Sequence, residues 1–408
     1  MRFKGLFKLG LLWILLASCV WAQGDRGSSK LPVSIYYSLP PAHARVLEGF
    51  VTEYRQTHTY LDITTRNFPQ PEDLYKAMTS GAEPPTLALL ETSWLDTVTQ
   101  KQPNFIPVET WMPKEQFLFN WSVKCNCFVP LWDGSHVNGK LMALPYFWTT
   151  KALIVNTDVL SAAGVKALPA TWDQLAKTAE KISATKGRAG IYTLALSVLG
   201  TPEQNARSLQ ILAWQLGAEA LEGTSPMTGQ AVQKATDMLS AWNKFLAPLD
   251  APVTQRGSVA FWIGNVEDYL TLRGQGLPVK AAPLPGLDKK NKGSEVQGWS
   301  LGMFKTVPDN QLYKVQELAF FLVDFPQQLR WAEETPYLAA HLKVFDNPFY
   351  RRERLADHSN LRVFLNSLGG SKLLPNTDRN IATYRSIGKN LGTLVKTQRA
   401  SLQVANPH

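Results

Sequence analysis

Cysteine is nearly missing: the 408 residues hold three, Cys19, Cys125 and Cys127. So few cannot staple a chain of this length, which excludes a disulfide scaffold. Cys125 and Cys127 are too few ligands for a metal site, and the nearest histidine is His136. In an oxidising compartment that pair either bridges, closing a strained ring, or stays as two semi-buried thiols in a loop. Histidine is scarce as well: the six are scattered without ligand spacing. Gly-x-Ser-x-Gly, His-Glu-x-x-His and the phosphate-cradling Gly-x-x-x-x-Gly-Lys-(Ser/Thr) are all absent, which argues against an enzyme. No metal and no cofactor are expected. Beyond the first two dozen residues no uninterrupted apolar run reaches the roughly 18 residues that a membrane-spanning helix needs. Repeats and low-complexity tracts are missing too, which leaves out solenoids and arrays.

What is there is a globular composition. Hydrophobic residues make up 45% and charged residues 18%, enough for a sizeable core and too little charge for a disordered chain. The length suggests two domains. Thirteen Trp, 12 Tyr and 18 Phe exceed what a plain core needs and point to aromatic contact surfaces. The formal charge is +9, spread along the chain without the basic patch of a nucleic-acid binder. Three of those charges, Arg2, Lys4 and Lys8, precede the apolar run Leu9–Ala17, the order of a secretory leader. Two cleavage readings compete. One uses Val20-Trp21-Ala22, making residues 1–22 a signal peptide; the other uses Leu16-Ala17-Ser18-Cys19, leaving Cys19 as a lipid anchor. Both export the protein, to the periplasm.

From residue 31 the chain alternates between two periods. Pro32–Tyr37 has the period of a strand, Ala42–Tyr54 that of a helix through Val46, Leu47, Phe50 and Val51. Strand returns at Tyr60–Ile63, helix at Glu72–Met78, and an apolar strand at Thr86–Leu90. This is the rhythm of an α/β lobe with a largely parallel sheet, whose ligands gather beyond the carboxyl ends of its strands. Glu91 directly follows such a strand. Residues 144–156 and 281–286 read as extended crossings between lobes. Thr171 caps a helix carrying Leu175, Ala179 and Ile182, Thr201-Pro202 opens another, and Val232–Phe245 is amphipathic. Leu312–Trp331 reads as one long helix with a break signal at Pro326.

Several segments, in this order, resemble the extracellular solute-binding proteins of ABC importers, in the group that captures sugars and glycerol phosphate. They are Gly81-Ala-Glu-Pro-Pro-Thr-Leu-Ala-Leu-Leu-Glu91, Leu144-Pro145 followed by Ala152–Asn156 and Asp158, and Ala163-Gly164 with Pro169-x-Thr171-Trp172. Gly257–Gly264, Pro283-Leu-Pro-Gly286, Gly298-Trp299-Ser300-Leu301, Ala319–Phe325 and Thr335-Pro336-Tyr337-Leu338 continue the series. The resemblance implies a two-lobed periplasmic-binding-protein fold of type II, with hinge-joined lobes closing on a ligand. The expected division is residues 31–147 with 283–306 in one lobe and 148–280 with 310–408 in the other. A monomer is expected, handing a small solute to the permease subunits of a membrane importer.

The same resemblance implies the site. Glu91 matches an acidic residue that holds glycerol hydroxyls, Thr149 a hydroxyl residue of the cleft, and Trp172 a cleft tryptophan. Gly298 matches a glycine whose backbone meets the ligand, Tyr337 a phenolic donor, and Arg385 falls near an arginine facing phosphate, a contact for which Arg351, Arg352, Arg354, Arg362 and Arg379 of the same region are the alternatives. Trp148 and Trp299 add aromatic faces in loop-like surroundings, suited to the C–H faces of sugars. This chain departs from the pattern at Pro71, where a tyrosine is usual, and at Pro336-Tyr337-Leu338-Ala339. The expected ligand is glycerol 3-phosphate or a related polyol phosphate. A neutral mono- or oligosaccharide is the alternative, and a secreted carbohydrate-active hydrolase the remote one.

Overall fold

The computed structural model describes residues 30–80, 84–112, 127–185, 194–195, 210–216, 230, 234–235, 237–238, 259–287, 293–352, 360–368 and 371–373. The leader with Cys19, Cys125, the helix start at Thr201-Pro202, most of Val232–Phe245 and Arg385 lie outside them.

The expected rhythm of the first lobe is present. Strand β1 (Leu31–Tyr37) buries every second side chain, the mark of a strand with two different faces. Helix α1 (Pro41–Thr57) starts on a proline, which needs no N–H at its first turn, and buries Leu47, Phe50, Val51 and Tyr54 along one stripe. Then follow β2 (Leu61–Asn67), α2 (Pro71–Thr79) and β3 (Leu87–Glu91), the last buried on both faces. β1 pairs in parallel with β2 and β3.

The sheet is less parallel than expected. Next along the chain come α3 (Leu95–Lys101), β4 (Phe105–Ile106), α4 (Val129–Gly134) and a small hairpin of β5 (His136–Val137) and β6 (Lys140–Leu141). The long strands β7 (Ala143–Thr150) and β12 (Glu295–Phe304) then lie antiparallel to each other, and β12 antiparallel to β3. The order is β13-β7-β12-β3-β1-β2, with β4 and β14 (Lys372–Leu373) also on β12 and β13 being Leu338–Ala339. A second sheet, β11-β8-β10-β9, comprises β8 (Ala152–Asn156), β9 (Leu194–Ala195), β10 (Phe261–Gly264) and β11 (Val279–Ala282). Helix α5 (Trp172–Thr185) packs on it through Leu175, Ala179 and Ile182.

The chain passes between sheets at Lys151, the single residue between β7 and β8, and returns between Ala282 and Glu295. Trp148 and Thr149, expected in the second lobe, are therefore on a strand of the first sheet. Leu284 packs in the core of the second sheet, and Gly286 bridges Thr171 there, so residues 283–286 side with that sheet rather than the first. The largest difference lies further on. Residues 312–331 form two helices, α7 (Leu312–Val323) and α8 (Phe325–Glu334), which follow α6 (Val266–Gly274). The break precedes Pro326 because the Asp324 carboxylate accepts the Phe325 N–H at 2.8 Å and caps the second helix. Both helices pack on the first sheet: Val315, Leu318, Ala319, Leu322 and Trp331 share a core with α1 and β1, and β13 pairs with β7. Residues 312–339 thus belong with the first sheet, against the expected boundary at 310. An amphipathic stripe records that a helix has a buried face, but not which of two cores receives it. Cys127 is disulfide-bonded.

Candidate functional site

The three parallel strands end side by side at Tyr37, Asn67 and Glu91. Two Pro-rich loops, Ser38–Pro41 and Phe68–Pro71, leave the ends of β1 and β2. The Asn67 carboxamide ties them together: its Oδ1 accepts the Leu39 N–H at 3.0 Å and its Nδ2 donates to the Leu39 carbonyl at 2.9 Å. Between these loops, Trp299 and Tyr337 lies a cleft of about 500 Å³. Its rims are stiff because proline fixes its own φ and restrains the residue before it.

Trp299 sits on β12 directly opposite Glu91 on one side and Phe147 on the other. The register shifts between Trp299 and Ser300, a bulge of the kind that re-aims a side chain. The indole stacks on Phe147 at 4.6 Å, Phe147 on Trp331 at 4.8 Å, and Tyr337 closes on Trp299 at 5.1 Å. The cleft wall is thus the open end of a packed aromatic column. Glu91, 8% exposed, accepts from Ser93 Oγ at 3.3 Å and Gln297 Nε2 at 3.4 Å. It borders a narrow pocket with Trp94, Tyr75 and Trp299. A second cavity, of about 480 Å³, begins at Thr92 and Ser93 and includes Asp96, Asp133 and His136.

Tyr337 is 7% exposed, and among the described residues no hydrogen bond is made to its hydroxyl. Burial drives its phenol well above the ordinary range, and the negative charges of Glu267, Glu91 and Asp268 add to this. Glu267 stands in the first turn of α6, on the side of the second sheet. Asn265 and Asp268 cap that helix reciprocally, at 2.9 and 2.8 Å, so Asp268 serves the backbone while Glu267 does not. Burial, and then Asp268, raise the Glu267 carboxyl above its usual value.

The structure brings together Glu91, Trp299 and Tyr337. Thr149, 3% exposed, lies opposite Gln297, whose amide reaches Glu91. Three others are held by packing. Trp148 is fully buried and donates its indole N–H to the Ala339 carbonyl at 2.9 Å. Trp172 lies in the second core and donates to Gln215 Oε1 at 2.6 Å. A Cβ on Gly298 would stand 2.3 Å from Leu131 Cδ2, so this glycine is needed for close approach of α4 to the sheet. Arg385 lies outside the described residues. Sequence reasoning missed Ser38, the Asn67 clamp, Gln297 and Glu267. Of these only Glu267 had a signal: in Asn265-Val-Glu-Asp268 the capping pattern uses the first and last residues and leaves the glutamate over.

Residues 50–356 match the family model of the bacterial extracellular solute-binding proteins. A binding protein of Brucella abortus (strain 2308) is 23% identical over 280 residues, 67% of this chain and 63% of that relative, so the chain spans less than two thirds of the curated relatives' length. Among solved structures, an ABC transporter solute-binding protein of Thermotoga lettingae bound with α-D-tagatose superposes with a TM-score of 0.70 at 19% identity, covering 90% of this chain and 95% of that one. UgpB of Mycobacterium tuberculosis, in complex with glycerophosphocholine, gives 0.72 at 17% identity, covering 93% and 98%. At such identities the structures share a fold, and that fold has two lobes with a cleft between them. With the family model spanning three quarters of the sequence, the chain belongs to the bacterial extracellular solute-binding proteins.

Proposed function

We propose that this protein is the exported, solute-capturing component of an ABC importer, and that it takes a small polyhydroxylated solute, a sugar or polyol, into the cleft at the ends of β1, β2 and β3. One lobe is built on the first sheet with residues 312–339, the other on the second sheet, and the chain crosses between them at Lys151 and again between Leu287 and Glu295. Closure is favoured by the contacts a solute gains with both lobes at once, and the closed form is what the permease subunits receive. The observation that carries this reading is the aromatic wall of Trp299 and Tyr337 beside the Glu91 carboxylate: flat faces for C–H surfaces next to an acceptor for hydroxyl protons. No catalytic step is assigned to the site; the family is one of binding proteins.

The likeness to the glycerophosphocholine-bound UgpB favours a second reading, a polyol phosphate. That reading requires a cation at the cleft, for which Arg385 is the candidate. Calorimetric titration with maltose, glucose, glycerol and glycerol 3-phosphate separates the two. Sugar binding without phosphate-ester binding supports the first; binding of glycerol 3-phosphate alone, lost in Arg385→Ala, replaces it with the second. Heat from none of them, with the protein folded, refutes both.

A further inference from the structure

A second, much smaller space adjoins the solute cleft. Ser38, Pro71 and Trp299 line both, so the two share a wall. Its other walls come from α2 and from the end of β3, with Tyr75, Glu91 and Trp94 among apolar side chains. The room inside is about 10 Å³. That is close to the least volume that holds one water, and it is too little for a hydroxymethyl arm or a phosphate. Two polar groups of this pocket are left over by the protein itself. Tyr75 and Trp94 are only 7% and 4% exposed, and among the described residues nothing pairs with the Tyr75 hydroxyl or the Trp94 indole N–H. The two rings stack at 4.2 Å with their planes 25° apart, so both are held in place. Trp94 ends the short turn Thr92–Trp94 that follows β3, which brings its indole to the strand end that carries Glu91. A carboxylate offers about four acceptor sites. Long hydrogen bonds from Ser93 and Gln297, at 3.3 and 3.4 Å, are among those that Glu91 receives. A buried hydroxyl or indole N–H without a partner is costly. Cavities that stay dry are lined by apolar groups, and this one is not.

We propose that the pocket is a built-in water site. One ordered water accepts from the Trp94 N–H, shares a hydrogen bond with the Tyr75 hydroxyl and donates to the Glu91 carboxylate. Three partners is the usual coordination of a buried water. As a donor to Glu91, the water fixes the carboxylate beside Trp299. As a filled floor behind the shared wall, it limits how deep a solute reaches: a hydroxyl meets the water, and a bulkier substituent finds no room. The water site stands on the pocket alone, while its influence on the solute rests on the solute-capture reading.

The stability of Tyr75→Phe separates a wet pocket from a dry one by its sign. Around a water, loss of the hydroxyl removes a partner and lowers the urea midpoint. In a dry pocket the same change deletes an unpaired polar group, and the midpoint stays or rises. The ring and its stack on Trp94 are kept, so the variant reports on the hydroxyl and not on packing. A high-resolution crystal structure of the purified protein gives the second reading. A solvent peak about 2.7–3.2 Å from Tyr75 Oη, Trp94 Nε1 and a Glu91 oxygen is expected. An unchanged or raised midpoint, or the lack of such a peak, overturns the water site. Calorimetric titration with maltose then tests its bearing on the cleft, with about a three- to ten-fold loss of affinity expected in Tyr75→Phe. Unchanged maltose affinity beside a lowered midpoint keeps the water and overturns its influence on the solute. No heat with maltose in either protein sinks the sugar reading and leaves the water site to the other two measurements.

Discussion

Trp299 and Trp172 show how far residue type alone leaves a role open. Both are nearly buried tryptophans in motifs that point to a cleft. Trp299 lies across β12 from Glu91 with its indole on the cleft wall, whereas the Trp172 N–H is used by Gln215 inside the second core. Trp299→Ala is therefore expected to weaken solute binding by ten-fold or more, since one face of the solute loses its stacking partner. Trp172→Ala is expected to cost about 3–5 kcal/mol of stability, with a lower denaturant midpoint measured on the empty protein. A Trp172→Ala protein that is fully stable but unable to bind would return that residue to the cleft. At Gly298 the argument is steric. Even alanine must push Leu131 aside, so Gly298→Ala is expected to lower stability by about 1–3 kcal/mol, read from the same denaturation curves.

At the scale of elements, two buried histidines tie helices to pH. His43 in α1 packs edge-on against Tyr337 at 5.0 Å, and burial alone lowers its pKa to about 4. His341, after β13, is lowered to about 4 by burial and by Lys343, against the opposing effects of Asp324 and its own backbone hydrogen bond. Both values lie below the ordinary 6.5, so the unfolded chain binds these protons more readily than the folded one. The stability they contribute is complete above pH 6.5 and is lost as pH falls through 4, up to about 3 kcal/mol for each group. Urea unfolding at pH 7 and pH 4.5 is expected to show that loss, and His43→Gln to reduce it; an unchanged difference in the variant would assign it to other groups. The Asp324 cap offers a simpler test at this scale. Asp324→Ala is expected to cost about 1 kcal/mol, because the first N–H of α8 loses its acceptor.

For the whole molecule the expectation is motion about the two crossings, at Lys151 and between Leu287 and Glu295. A bound solute should lower the radius of gyration seen in small-angle scattering; binding by calorimetry with unchanged scattering would contradict hinge closure. The alternating lobe rhythm, the helical stripe over Ala42–Tyr54, the strand running up to Glu91 and the crossing near Lys151 were all legible, because each depends on period or backbone chemistry within a short window. The antiparallel insertion of β12 between β3 and β7 was not, since pairing joins residues some 200 positions apart and the strand's own pattern names no neighbour. In the same way Glu91 and Trp299 were readable as candidates, while the Asn67 clamp and Gln297 were not.

Local order in the sequence, then, determined the elements, their sequence of appearance and the family, because periodicity, capping and turn chemistry act between near neighbours. Only the tertiary structure decided which sheet receives α7 and α8, which tryptophans are core, and that Trp299 and Tyr337 meet beside Glu91. Those are outcomes of packing and of electrostatics at short range in space, and distance in space is not written along the chain.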